Sequence, residues 1–196
     1  MLPNPILKKT LSTQLNLFLI KLVMTILAMS AITPLSNRRS SRTSGDMFLR
    51  LQLDEQTYAV VPMLQTQEAI ILPAGRVSVI PNLPSPVVGL FNRRSSLLWL
   101  VDLPEILGLE PIDRHAHSYD IALLKVGQVP LAVAVRSIQG VIRFDREQIE
   151  SPIGSFNPAF TPYLRGWILQ EKELILVLEP EAIINAKVLD LLAAHN

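Results

Sequence analysis

A segment near the middle of this 196-residue chain is written out again 77 positions later. Gly89, Leu90 and Phe91, running on to Leu97-Leu98-Trp99-Leu100-Val101-Asp102, return as Gly166, Trp167 and Ile168, running on to Leu174-Ile175-Leu176-Val177-Leu178-Glu179. In each copy a glycine opens the segment, a polar turn follows, and an apolar run ends in one carboxylate ahead of a short helical pattern. A fainter echo lies upstream, where Met63, Gln67 and Ile70 fall on Val135, Gln139 and Ile142 at an offset of 72. A chain built as two similar halves has a seam between them, and seams of this kind are where binding usually occurs.

The pattern inside each half is that of strands. Leu49, Leu51 and Leu53 alternate with Arg50 and Gln52, the period of a half-buried strand, and Tyr58 to Met63 reads as its hairpin partner across a polar turn. Val79 to Pro86 holds three prolines, which remove amide donors and favour extended neighbours, so it reads as a rigid extended connector. Leu97 to Val101 is apolar throughout, as expected of a strand covered on both faces, and Leu103 to Gly108 reads as one helical turn. In the second half Ile121 to Val126 and Val129 to Val135 flank Gly127-Gln128, a pair suited to a type II′ hairpin. Ile183, Ile184, Val188, Leu191 and Leu192 have helical spacing after Pro180 and predict a closing amphipathic helix. The fold class expected is all-β with short helices, arranged as two small barrels. Half one spans about residues 47–112 and half two about 118–190, with 191–196 the tail of the last helix.

The N-terminus stands apart. Residues 1–46 carry six Lys/Arg against one Asp, leaving a mildly acidic body in a chain of formal net charge +1. Lys8 and Lys9 precede an apolar stretch from Leu15 to Met29 that is interrupted by Asn16, Lys21 and Thr25. Three readings of residues 1–28 are open: a cleaved secretory signal, a membrane anchor, or upstream sequence before a native start at Met29. Residues 29–46 include PLSNRRSSRTSG, almost free of apolar residues, and read as a disordered basic linker.

The chemistry of catalysis is not written in this sequence. No cysteine is present, which excludes disulfides, thiolate metal sites and thiol nucleophiles. His115 and His117 lie in the polar stretch between halves and His195 is penultimate, and no third ligand is signalled near the first two, so no metal or other cofactor is expected. There is no phosphate-cradling glycine loop, HExxH or GxSxG. Asp102 and Glu179 end equivalent strands and read as helix caps rather than as an acid–base pair. Trp99 and Trp167 read as core. The mildly acidic body lacks the basic footprint that phosphate backbones demand, so no nucleic acid is expected, and with no catalytic constellation in the sequence no small-molecule substrate is expected either.

Gln67-Glu68, Pro81 and Pro84, Gly89-Leu90-Phe91-Asn92-Arg93-Arg94, Val101-Asp102-Leu103, Gly127-Gln128, Glu147-Gln148-Ile149 and Tyr163-Leu164-Arg165-Gly166 occur in the order and spacing of a known family. Over about residues 47–190 the chain resembles the CheW-type coupling proteins. The resemblance implies two SH3-like five-stranded β-barrels side by side and a non-enzymatic, cytoplasmic adaptor. Its implied partners are methyl-accepting chemotaxis receptors and a CheA-type histidine kinase, with no cofactor. It also implies that Glu68 pairs with Arg94, and that Glu68, Gly89, Asn92, Arg94 and Ser95 bind partners or shape the binding surface, with a receptor helix at the seam and the loop and strand around Gly89 and the following turn providing one wall. The chain departs from the family where Ser95, Trp99, Ala132 and Arg136 replace a glycine, a proline, a glycine and an aspartate. These departures imply a divergent branch, for which twitching or phototaxis stands as an alternative to flagellar swimming. An exported β-rich binding protein is the competing reading, and it rests on the N-terminal segment alone.

Overall fold

The computed structural model describes residues 45–151, 158–186 and 189. Its ten strands are β1 (Asp46–Gln52), β2 (Tyr58–Pro62), β3 (Thr66–Pro73), β4 (Val87–Arg93), β5 (Ser96–Asp102), β6 (Ser118–Val126), β7 (Val129–Val135), β8 (Ser137–Phe144), β9 (Leu164–Gln170) and β10 (Glu173–Leu178). A short helix follows each copy of the repeated hairpin: α1 (Leu103–Ile106) after β5 and α2 (Pro180–Ile184) after β10. Val188, Leu191 and Leu192, expected to extend the last helix, lie outside the described residues, as do residues 1–44.

The strands form two five-stranded sheets, ordered β8-β1-β2-β10-β9 and β3-β6-β7-β5-β4. Each curls until the chain just beyond one edge strand meets the other edge. Ser78, after β3, bridges Leu90 on β4, and Glu150, after β8, bridges Trp167 on β9. The architecture is therefore mostly β and SH3-like, as the resemblance implied. The bridges also fix the internal symmetry, since Ser78 and Glu150 are 72 residues apart while Leu90 and Trp167 are 77 apart, the two offsets already present in the sequence.

The sequence halves are not the sheets. β1 and β2, from the first half, complete a sheet whose other three strands, β8, β9 and β10, come from the second; β6 and β7 return the exchange by joining β3, β4 and β5. Four pairings stitch the halves together: β2 with β10 and β7 with β5 are parallel, and β1 with β8 and β3 with β6 are antiparallel. Hydrophobic alternation cannot reveal such an exchange, because a strand's inward and outward residues are the same whichever sheet receives it.

Each barrel has its own core. Leu72, Phe91, Leu98, Leu100, Ile121 and Ala132 fill one, and Phe48, Val60, Phe144, Ile168, Ile175 and Val177 the other, where the Phe48 and Phe144 rings stack with centroids 4.0 Å apart. The opposite faces of the central strands are buried as well, at Leu49, Leu51, Ala59 and Val61 and at Ala122, Leu124, Val133 and Val135. Helix α2, which follows a strand of the first sheet, packs on β6 of the second. Burying an aliphatic side chain contributes about 1.5–3 kcal/mol, so this two-sided burial binds the sheets into one cooperative body.

Local expectations fared unevenly. Gly127 opens its two-residue hairpin at φ 60°, as a type II′ turn requires. The connector from Val79 to Pro86 is not extended throughout: it turns at Pro81-Asn82, with Asn82 at φ 65°. Proline followed by a residue of positive φ is the signature of a type II turn. Leu97 is exposed, so only the later part of β5 is covered on both faces, and Trp99 and Trp167 are half-buried rather than core.

Candidate functional site

The most organised polar constellation outside the cores sits at the open end of the β3–β7 barrel. On β3, Ile70 and Leu72 point inward, and alternation turns Glu68 inward with them. On β4, Gly89 and Phe91 point inward, and alternation does the same for Arg93. These are the barrel's two edge strands, which closure brings side by side. Glu68 meets both arginines there. Arg93 donates from Nε and Nη2 to one carboxylate oxygen at 3.0 and 2.9 Å, and Arg94 bonds the other oxygen. The Glu68 side chain is 15% exposed, whereas Arg94 is 77% exposed. The carboxylate thus joins β3 to the β4–β5 hairpin, and both of its oxygens are bound.

The resemblance implied the Glu68–Arg94 pair and left Arg93 out. Its role was legible in the alternation Gly89, Phe91, Arg93, which sets it on the face of the core. Asn92 points the other way and is exposed, as is Ser95. Arg94 and Ser95 form the whole two-residue turn, because Arg93 pairs with Ser96, and both have positive φ, 49° and 65°. The equivalent turn in the other barrel, Glu171-Lys172, repeats this at 51° and 71°. Two successive positive φ values are what a type I′ hairpin demands, here met without glycine or asparagine. At the equivalent positions the other barrel has no such clamp, and its hairpin is tied instead by Glu173 to Arg50 on β1 at 2.6 Å. Gly140 stands 72 positions after Glu68, and Gln170 and Glu171 stand 77 after Arg93 and Arg94.

Gly89 belongs to the closure itself. It is buried, and a Cβ there would lie 2.5 Å from the Ser78 carbonyl oxygen and 2.9 Å from Val77 Cγ1. The space beside Gly89 is thus filled by its own barrel, which makes it a residue that shapes the closure from which the following strand and turn project. A cleft of about 470 Å³ does lie where the segments joining the sheets meet, lined by Leu53, Tyr119, Asp120, Val135, Arg136 and linker residues from Glu110 to Ser118, and Gly89 is not on it.

A second network holds the linker between the repeats. Asp102 is wholly buried and caps α1 by accepting from Glu105 N at 3.0 Å, while its other oxygen accepts from Ile112 N at 3.0 Å. Arg114 reaches Asp102 at 3.4 Å and Glu105 at 3.1 Å, and donates to the Ser85 carbonyl at 2.9 Å. Burial holds the Asp102 carboxyl above the ordinary carboxylate range, against the lowering effect of the two amides and Arg114. Glu179, its repeat counterpart, makes no capping bond with its side chain, contrary to its reading as a cap. The longer glutamate side chain is a poor N-cap, where Asp, Asn, Ser and Thr lead. His115 and His117 are exposed on the linker, and among the described residues no three acidic, histidine or cysteine side chains gather as metal ligands.

A family model described as the CheW-like domain matches residues 47–188. The chain belongs to the CheW-like domain family. It is 26% identical over 147 residues to the chemotaxis protein CheW of Treponema pallidum (strain Nichols), a match covering 72% of this chain and 84% of that protein. Its fold is similar to the crystal structure of the scaffolding protein TtCheW from Thermoanaerobacter tengcongensis, with a TM-score of 0.57 at 18% identity, covering 69% of this chain and 90% of the other. Within the CheW-like domain the four departures have different surroundings. Ala132 is fully buried on β7, Trp99 is half-buried on β5, Arg136 pairs with Glu55 at 3.3 Å, and Ser95 sits at the hairpin tip. Among the described residues no helix is long and apolar enough to cross a membrane.

Proposed function

We propose that this chain is a non-enzymatic, cytoplasmic adaptor that couples methyl-accepting chemotaxis receptors to a CheA-type histidine kinase in a chemotaxis-like pathway controlling motility. Membership of the CheW-like domain family over most of the chain supports the class of function. The observation that carries the reading is the difference between the two hairpins: Glu68 holds the β4–β5 hairpin through two arginines, with Asn92, Arg94 and Ser95 presented to solvent there, whereas the β9–β10 hairpin is tied by the single pair of Glu173 with Arg50. An adaptor needs surfaces that differ between its halves, and exposed charges on a fixed turn select partners by complementarity. Residues 47–190 act as the coupling unit in this reading, with residues 29–46 as a linker.

The test is reconstitution. Purified chain, the cytoplasmic signalling portion of a receptor from the same cell, and that cell's receptor-linked histidine kinase are mixed and sedimented. The expected result is co-sedimentation of kinase with receptor only when this chain is present, with loss on Glu68→Arg at unchanged circular dichroism. Kinase recruitment that is indifferent to the chain overturns the proposal.

A further inference from the structure

The clamp carries two guanidiniums on one carboxylate, an excess of one positive charge among its three groups. Arg93 is paired across the hairpin with Ser96, the exposed first residue of β5. Directly opposed residues of an antiparallel pair point to the same face, with Cβ atoms about 4.5–5.5 Å apart. The Ser96 hydroxyl therefore stands on the side of the strand from which Arg93 reaches Glu68. In sequence, Ser96 follows Arg93 and Arg94 at the third and second positions. The same five residues, Asn-Arg-Arg-Ser-Ser, occur once more, at Asn37–Ser41 as well as Asn92–Ser96, within a span of 45 residues that contains no Asp or Glu.

We propose that Ser96 is a phosphorylation site, modified by a serine kinase that reads arginines ahead of its acceptor, and that the phosphate takes Arg93 and Arg94 from Glu68. In the transfer the Ser96 Oγ attacks the γ-phosphorus of a nucleoside triphosphate; the new O–P bond replaces the one to the departing diphosphate, and the hydroxyl proton passes to the kinase's base. A phosphoserine adds a charge of about −1.5 to −2 and three acceptor oxygens. Added to the clamp, this turns its surplus of positive charge into a deficit. Arginine forks bind phosphate in the same bidentate manner as carboxylate, so the two anions compete for one pair of cations. Glu68, mostly shielded from water, is left with less of its counter-charge, and the β4–β5 hairpin loses its tie to β3. Any consequence for partner binding rests on the function proposed above; the modification itself does not.

The experiment incubates the full chain with the catalytic domain of an arginine-directed serine kinase and Mg-ATP, and maps phosphate by peptide mass spectrometry. The second copy, at Asn37–Ser41, is an internal control for recognition of the sequence. Phosphate on Ser96, lost in Ser96→Ala, is the expected result. Phosphate on Ser41 with none on Ser96 overturns the proposal, because the fold then withholds the acceptor; phosphate on neither overturns it too. Competition is read separately. Glu68→Gln should lower the unfolding midpoint of the unmodified chain and leave that of the phosphorylated chain nearly unchanged, whereas an equal drop in both shows that the phosphate does not displace Glu68.

Discussion

Gly89 and Gly166 occupy the same position in the two barrels, each pressed against a backbone carbonyl of the segment that closes its sheet. A Cβ on Gly89 would lie 2.5 Å from the Ser78 oxygen, and one on Gly166 would lie 2.3 Å from that of Glu150. The obstacle is main chain held in a bridge on both sides, so it has nowhere to go. Gly89→Ala and Gly166→Ala should each destabilise the domain by about 3 kcal/mol, the upper range for overpacking. Gly75→Ala, where nothing lies within 4 Å, should be nearly neutral. Urea denaturation of the three variants checks this. A bulkier residue at Gly89 is expected to disrupt the fold rather than only a surface, so loss of binding in such a variant does not locate a partner.

The two clamp arginines should differ. Arg93 makes two hydrogen bonds to Glu68 from a half-buried position, whereas Arg94 is mostly in water. Hydrogen bonds to charged groups contribute about 1.5–3 kcal/mol when shielded, and exposed ion pairs about 0–1 kcal/mol. Arg93→Ala should therefore cost about 2 kcal/mol of stability and Arg94→Ala less than about 1 kcal/mol. For partner binding the ranking should reverse, because Arg94 is the residue presented to solvent. A double-mutant cycle of charge reversals at Glu68 and Arg94 should recover part of the binding; losses that merely add would show that the pair acts independently.

Asp102 makes stability depend on pH in a definite direction. Its folded pKa is raised by burial above the ordinary 3.8, so the folded state favours the protonated form. The resulting stabilisation is fully present below the unfolded value and is lost as pH rises through the folded one. Asp102→Asn removes this titration, along with one acceptor for the Glu105 and Ile112 amides. The advantage of the native chain over Asp102→Asn should thus be largest in acid and shrink as pH rises. Urea melts of both proteins between about pH 4 and 8 measure it, and a difference that stays constant with pH would refute the assignment.

The domain should fold without its N-terminal segment, provided the cut respects β1. That strand begins at Asp46, one residue before the boundary read from the sequence, and the Asp46 carboxylate pairs with Arg146 beyond β8. A chain shortened to residues 45–196 is expected to unfold cooperatively, with a midpoint close to that of the full chain. Aggregation of the shortened chain would show that residues 1–44 contribute to the core.

What the sequence made legible was local. The repeated hairpins, their glycines and the helix after β5 were readable because turn chemistry and alternation act over a few residues. Glu179 misled because its place in the repeat matched Asp102 while its longer side chain did not suit the cap. Arg114 left no signal at all: an arginine in a polar linker reads as solvated, and only the folded chain brings it to Asp102, twelve residues away. The exchange of strands was hidden for a related reason, since pairing partners at long range leave the pattern of each strand unchanged.

That exchange has a consequence for the chain cut in two. A fragment ending near His117 owns β1 and β2 without the rest of their sheet, and β3, β4 and β5 without β6 and β7; the remaining fragment has the complementary deficit. Neither piece holds one complete barrel, so each is an unfinished subunit and the two together are a heterodimer waiting to associate. The intact protein is, in its topology, a strand-swapped dimer whose two protomers have been fused end to end, the form that duplication of a single ancestral repeat would leave behind.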